Sequence, residues 1–220
     1  MGIDPTQGFP ITPAGRVADR LGEYERRLAA LERGGPELSP VAALPTNPRP
    51  GQLVCYQTPA MAAAGVEWVF RNSGATPYPW RFVGGTDLYD FVTGVAQRHS
   101  AGSGVWMSLS TGDPTLVTVP LIGVYDVTIH ATGQEVDGSA NAADVYAAVF
   151  GNGVQWTNTF DAWARPTGAY HKWDIYTTAQ LTTSSADTTL ETKVLVYSGA
   201  WNSFGWYTGT IRARPTRVQA

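Results

Sequence analysis

Cysteine, net charge and helix-forming runs are all scarce in this sequence, and each scarcity closes a class of explanation. One cysteine, Cys55, stands among 220 residues. No disulfide can form within the chain, which excludes a scaffold stapled by oxidised pairs. A nucleophilic thiol would call for a histidine and an Asn or Asp signalled nearby; neither is, so Cys55 reads as a buried structural thiol. Lys and Arg number 15 against 18 Asp and Glu, a formal charge of −3. That balance offers no basic stripe for phosphates, so nucleic acid is not an expected partner. No run of about 18 apolar residues occurs, so no helix is expected to span a membrane. The opening MGIDPTQGFPITPAG lacks the basic and apolar regions of a secretory signal. Its Gly2 fits the loose myristoylation pattern, but no second membrane signal accompanies it. These absences suit a protein made in a cytoplasm and folded without oxidation.

The usual catalytic signatures are missing too. There is no GxSxG, no phosphate-binding loop and no HExxH. His99, His130 and His171 have no Cys or carboxylate at metal-ligand spacing. "QEVDGSANAAD" gathers Glu135, Asp137, Asn141 and Asp144 in one acidic stretch, but without the residue order of a calcium loop, so it reads as a solvated loop. The expectation is a non-enzyme with no cofactor and no metal. Glycan cleavage by paired carboxylates, which leaves no motif of its own, is the enzymatic alternative.

What is present is β-rich and punctuated by 24 Gly and 15 Pro. Residues 1–13 carry three prolines and read as an extended N-terminal arm that a partner would order. Residues 14–34 hold the single strongly helical stretch, "RVADRLGEYERRLAALERG", stopped by Gly34, Gly35 and Pro36. Residues 35–50 are a Pro-rich, semi-rigid linker. Residues 51–85 predict a small β unit with strands at 53–57, 66–71 and 80–83. A sheet of that size must pack on a neighbour or on copies of itself to be stable. Residues 86–103 read as a connector. Residues 104–220 predict strands at 105–109, 115–119, 124–130, 144–150, 153–159, 170–176, 178–183, 188–197 and 204–212. "VYDVTIH" and "TKVLVYS" alternate with the period of half-buried strands. Many short strands with no helix between them predict an antiparallel sandwich or jelly roll.

The helix carries a heptad. Val17, Leu21, Tyr24, Leu28 and Leu31 are spaced 4, 3, 4 and 3 residues apart, which places Val17, Tyr24 and Leu31 at d and Leu21 and Leu28 at a. Arg20 and Arg27 then fall at g, and Glu25 and Glu32 at e. In a parallel coiled coil Arg20 meets Glu25 of the next chain and Arg27 meets Glu32. Exposed pairs of this kind contribute about 0.2–1 kcal/mol each, so they choose orientation more than they supply stability. Two heptads are about 30 Å of helix and need help from a second associating region. The seam itself does not choose the number of chains.

The most specific stretch is "PTNPRPGQLVCYQTPAMAAAGVEWVFRNSGATPYPWRFVGGTDL". Its Pro-x-x-Gly-Gln opening, Tyr-Gln-Thr, Ala-Met, Gly-Val-x-Trp-x-Phe-Arg, Pro-Tyr-x-Trp and closing Phe-Val-Gly-Gly resemble a segment common in minor tail proteins and tail fibres of actinobacteria-infecting phages. "SLSTGDPTLVTVPLIGVYDVTIHATG" and "YTGTIRARPTRV" resemble, more loosely, trimeric jelly rolls of the tumour-necrosis-factor type. The resemblance implies a homotrimeric virion protein at the tail tip, baseplate or head surface. It would be joined to other virion proteins through the N-terminal arm. The short chain also suits a capsid decoration protein or head fibre.

Two aromatic stretches, "WTNTFDAW" and "YSGAWNSFGWY", lie in turn-rich contexts. Trp163 beside Asp161, and Trp201 beside Asn202, are the candidate glycan-binding residues, since rings can stack on sugars while Asp and Asn bind hydroxyls. Burial in a core or subunit contact is the competing reading for both. The aromatics of the middle segment, Trp68, Phe70, Tyr78, Trp80 and Phe82, are read as core or interface.

Overall fold

Leu53–Tyr56 (β1), Trp68–Asn72 (β2) and Trp80–Gly85 (β3) form an antiparallel meander close to the predicted positions. A five-residue helix, Pro59–Ala63 (α1), links β1 to β2. It starts because Thr58 accepts a hydrogen bond from the Met61 amide and Pro59 occupies the first turn. It ends at Gly65, whose φ of +67° suits the left-handed turn that follows. The computed structural model describes residues 38–93, 99–100, 105–108, 115–135, 143–156, 160–167, 170–197 and 203–220. The heptad residues Val17, Arg20, Leu21, Tyr24, Glu25, Arg27, Leu28, Leu31 and Glu32 lie outside them.

The remaining strands among the described residues are Leu88–Thr93 (β4), His99–Ser100 (β5), Met107–Ser108 (β6), Leu116–Val119 (β7), Gly123–Glu135 (β8), Ala143–Gly151 (β9), Val154–Gln155 (β10), Phe160–Thr167 (β11), Tyr170–Thr182 (β12), Thr188–Tyr197 (β13) and Ser203–Val218 (β14). Every pairing between these strands is antiparallel. The fold is mostly β, as expected. In one sheet β14 lies between β8 and, along its length, β5, β4 and β3; β12 follows β8. In the other, β13 pairs with β9, β7 and β6. Strand β11 joins the two sheets, pairing with β9 through Phe160–Ala164 and with β12 through Arg165–Thr167.

The core lies between the two sheets. Tyr125, Val127, Ile129 and Ala131 of β8, Trp173 and Ile175 of β12, and Ile211 and Ala213 of β14 meet Val145, Ala147, Val149, Leu190 and Val194 from the second sheet. The period-2 alternation is clean on β8 and β12, where odd positions point inward. The small unit belongs to the same core: Trp68 lies 6.3 Å from the Tyr125 ring, and β3 pairs with β14 at Arg81 and Trp80. Residues Pro40–Ala220 thus form one compact unit.

Several elements differ from the sequence expectation. The stretch read as a connector, 86–103, contains β4, because Leu88 packs on the core while its ladder pairs with β14. The strands read at 170–176 and 178–183 are one strand, β12; Thr177 and Thr178 are good strand residues and nothing there turns the chain. Strand β14 runs on past 212 through Pro215. That proline sits between the end of β4 pairing at Ala213 and the start of β3 pairing at Arg217, beside a register shift against β8, so its missing N–H falls where the pairing already changes.

Candidate functional site

The glycan-binding candidates are divided by the structure. Trp201 and Asn202 lie outside the described residues, just before β14. Asp161 and Trp163 lie on β11, opposite Tyr146 and Asp144 of β9. The composition around Trp163 suggests a loop; the residue stands in a strand, because "FDAWARPT" completes the ladder between β9 and β12 and closes the seam between the sheets. Of the acidic stretch, Glu135 ends β8 and Asp144 is the second residue of β9, while Asp137 and Asn141 lie outside the described residues. Among the described residues no group of three His, Cys, Asp or Glu could hold a metal ion.

Three of the middle-segment aromatics are core; Phe82 packs half-buried against it, and Tyr78 is half-buried with the Arg217 guanidinium over its ring. Trp68, Phe70 and Trp80 are fully buried, and Tyr56, Trp68 and Phe70 pack within about 6 Å of one another. Burial pushes the Tyr56 hydroxyl up to about 12, with the nearby Asp187 carboxylate adding to it. Cys55 is buried beside Glu67; burial first, and then that carboxylate, push its thiol up, the opposite of what an activated nucleophile needs.

A different group of residues forms the most distinctive surface. The outward face of β4, β14, β8 and β12 is a grid set by strand register. Phe91, Thr210, His130 and Tyr176 form one row across the four strands. Tyr89, Arg212, Thr128 and Thr178 form the next. At about 4.8 Å between strands, each row is roughly 14 Å across. Tyr89, Phe91 and Tyr176 are 50%, 54% and 72% exposed. Tyr89 stacks on Phe91 at 5.7 Å, and Tyr176 meets the His130 ring edge-on at 5.9 Å. Polar contacts join neighbouring strands across the face. Thr128 and Thr178 hydroxyls lie 2.8 Å apart, as do those of Thr132 and Thr208. His130 Nε2 lies 2.9 Å from Asp174 Oδ1.

At the edge of this face Arg214 donates through Nε and a terminal nitrogen to both oxygens of Asp87, at 2.6 and 3.1 Å. Those bonds, more than the Asp87 and Asp126 charges, hold the Arg214 guanidinium above its usual range. Arg212 reaches the same Asp87 at 3.6 Å, and its guanidinium lies over the Tyr89 ring. The face combines large exposed rings with paired hydroxyls.

Sequence reading missed this surface because each row joins residues far apart in the chain; His130 and Asp174 are separated by 44 positions. One local signal was available. Tyr176 follows inward-facing Ile175, and Tyr89 follows inward-facing Leu88, so both aromatics fall on the polar phase of their strands.

No family model matches the chain. No curated protein matches it in sequence. Among solved structures, Eiger TNF from S. frugiperda aligns with a TM-score of 0.37 and 11% identity, over 61% of this chain and 96% of its own. Murine APRIL aligns at 0.32 and 13% identity, over 58% of this chain and 99% of its own. Dimeric latent PorU from Porphyromonas gingivalis aligns at 0.36 and 9% identity over 59% of this chain; the aligned part spans 13% of PorU. All three TM-scores are under 0.5, so the fold rests on the strand register given above.

Proposed function

We propose that this chain is a structural virion protein of a tailed phage, a homotrimeric minor tail protein or tail fibre that contacts host cell-surface glycan. In this reading residues 14–34 form the parallel coiled-coil stalk, the C-terminal β-sandwich is a trimeric jelly roll, and residues 1–13 anchor the trimer to other virion proteins. Its role is adhesive and structural rather than catalytic. The virion assignment draws on the middle segment, residues 45–88, and its resemblance to phage tail proteins. The observation that carries self-association is the grid with Tyr89, Phe91 and Tyr176 half or more exposed on one sheet face. Three large rings held on a rigid strand face favour burial against another surface. Trp163, Asp161, Trp201 and Asn202 are the residues proposed to meet glycan. Three copies on one stalk would strengthen weak individual sites through shared attachment.

The first test is solution mass by light scattering. The expected result for the full chain is three times 23.6 kDa, with weaker association when residues 1–35 are deleted. A monomer at micromolar concentration overturns the proposal. Immunogold labelling of virions then separates tail from head, and label on the head would make the chain a capsid decoration protein or head fibre instead. Release of reducing sugar from host wall by the purified chain would replace the adhesive reading with an enzymatic one.

A further inference from the structure

Three arginines from separate parts of the chain stand in one row. Arg71 on β2 is directly opposite Arg81 on β3, and Arg81 is directly opposite Arg217 on β14. Residues opposed in this way share a sheet face, and all three are exposed. At about 4.8 Å between strands the row is about 10 Å long. Arg71 Nη2 lies 3.9 Å from where a Cβ on Gly51 would stand, which places its guanidinium beside the entry to β1. A fourth exposed arginine, Arg49, is held at that entry: its N–H donates to Gln52 Oε1, and its carbonyl accepts from the Gln52 N–H, both at 3.0 Å. None of the four takes part in an ion pair among the described residues. Acids of the same sheet are engaged elsewhere: Asp87 by Arg214, Asp126 by Gln180, and Glu67 by the Cys55 thiol. The Arg217 guanidinium lies 5.6 Å from the Tyr78 ring, and Leu53 and Val83, flanking the row, are 47% and 50% exposed.

We propose that this row binds an acidic glycan, a saccharide chain that carries repeated carboxylate or phosphodiester groups. The inference rests on the proposed contact with host cell-surface glycan; it names the class of glycan and gives it a place apart from Trp163 and Trp201. Like charges set directly opposite each other destabilise a sheet, and a bound anion relieves that repulsion. Each guanidinium presents paired N–H donors that match the oxygens of a carboxylate or a phosphate. Three of them at strand spacing suit several anionic groups along one chain better than a single small ion. Tyr78, Leu53 and Val83 supply apolar surface beside the charges for the faces of sugar rings. The grid of exposed rings uses β4, β14, β8 and β12, whereas the arginine row continues onto β3 and β2. Covering the grid in a trimer therefore does not require covering Arg71 and Arg81. Composition alone hides the row, because its members lie on three strands that only the sheet brings side by side.

The test is calorimetric titration of the full chain with probes of matched length: a galacturonate oligomer, a glycerol-phosphate oligomer, a neutral glucan and single-stranded DNA. The wild type is expected to bind one acidic oligomer about tenfold or more tightly than the glucan, more weakly as salt rises, and the acid it prefers identifies carboxylate or phosphodiester. Arg71→Gln, Arg81→Gln and Arg217→Gln are each expected to weaken that binding about two- to fivefold, and the triple variant more than tenfold. The triple variant should keep its oligomer mass and an unchanged or raised thermal midpoint, since like-charge repulsion is removed; arginines that served only the fold would lower it. A triple variant that binds the acidic oligomer like the wild type overturns the inference. So does a wild type that binds the glucan as tightly as either acid, although the wider glycan reading then stands. DNA bound as tightly as the acidic oligomer assigns the row to nucleic acid instead, and a triple variant that dissociates assigns it to a contact between copies. A wild type that binds neither these glycans nor host wall fails the glycan reading itself, and this inference with it.

Discussion

Two groups of aromatic side chains in this molecule do opposite things. In the β1–β3 meander, Trp68, Phe70 and Trp80 are fully buried, and Trp68 donates from its indole to the Thr86 carbonyl at 2.9 Å. On the β4–β14–β8–β12 face, Tyr89, Phe91 and Tyr176 stand half or more in solvent. Aromatic character is shared and strand periodicity is the same. The difference is phase: the first group faces the seam shared with Tyr125, and the second faces away from it. Buried rings contribute to folding through the area they remove from water, about 1.5–3 kcal/mol for a large side chain. Exposed rings contribute little to folding and can contribute to association instead.

Substitutions should separate the two groups cleanly. The largest expected effect is Trp68→Ala, which opens a cavity in the aromatic seam and costs about 3–5 kcal/mol, read as a lowered denaturant midpoint at fixed protein concentration. A loss under about 1 kcal/mol would mean the meander contributes little to the core. Gly85→Ala comes next. Gly85 has φ +128°, and an added Cβ would press on the Glu67 carbonyl oxygen and lie 2.9 Å from Trp68 Cα. The expected cost is about 1–3 kcal/mol, with Trp fluorescence shifted because the strain falls on the Trp68 backbone.

Alkaline pH probes the buried group without mutation. Folding raises the Tyr56 hydroxyl from 10.0 to about 12, so the folded state holds its proton more tightly than the unfolded chain. Its contribution is fully present below pH 10 and is lost as pH rises from 10 through about 12. Denaturation followed from about pH 9 to about 12 should show that decline, and Tyr56→Phe should make it shallower. Tyr125, also raised chiefly by burial, adds to the same decline. The smallest effect belongs to the exposed group. Tyr176→Ser should change unfolding free energy by no more than about 0.5 kcal/mol when measured on dissociated chain, while its association changes. A loss comparable to that of Trp68→Ala would show that the face is part of the core after all.

The buried half of this contrast was largely legible in the sequence. Alternating runs such as "VYDVTIH" give period-2 burial directly, and the three strands of the middle segment fall within a few residues of their expected places. The exposed half was not. Tyr89 and Phe91 sit in a stretch read as a connector, and β4 exists because Leu88 reaches the core and β14 offers a free ladder. Strand β11 was hidden for a related reason: Pro166 and the surrounding aromatics look like a loop until β9 and β12 are both in place to pair with it. Long-range pairing overrode local composition in each case.

The sequence by itself determined the mostly β character, the positions of many turns and which residues of β8 and β12 face inward. Those properties follow from local alternation and backbone preferences, which a linear string carries. Only the tertiary structure decided that Phe91, Thr210, His130 and Tyr176 share one row, that Arg212 and Arg214 crowd a single Asp87, and that Asp174 is left with a histidine for company. Those neighbours are set by the register of strands up to 127 residues apart, as between Asp87 and Arg214. Register is chosen by the fit of the whole core rather than by any one segment.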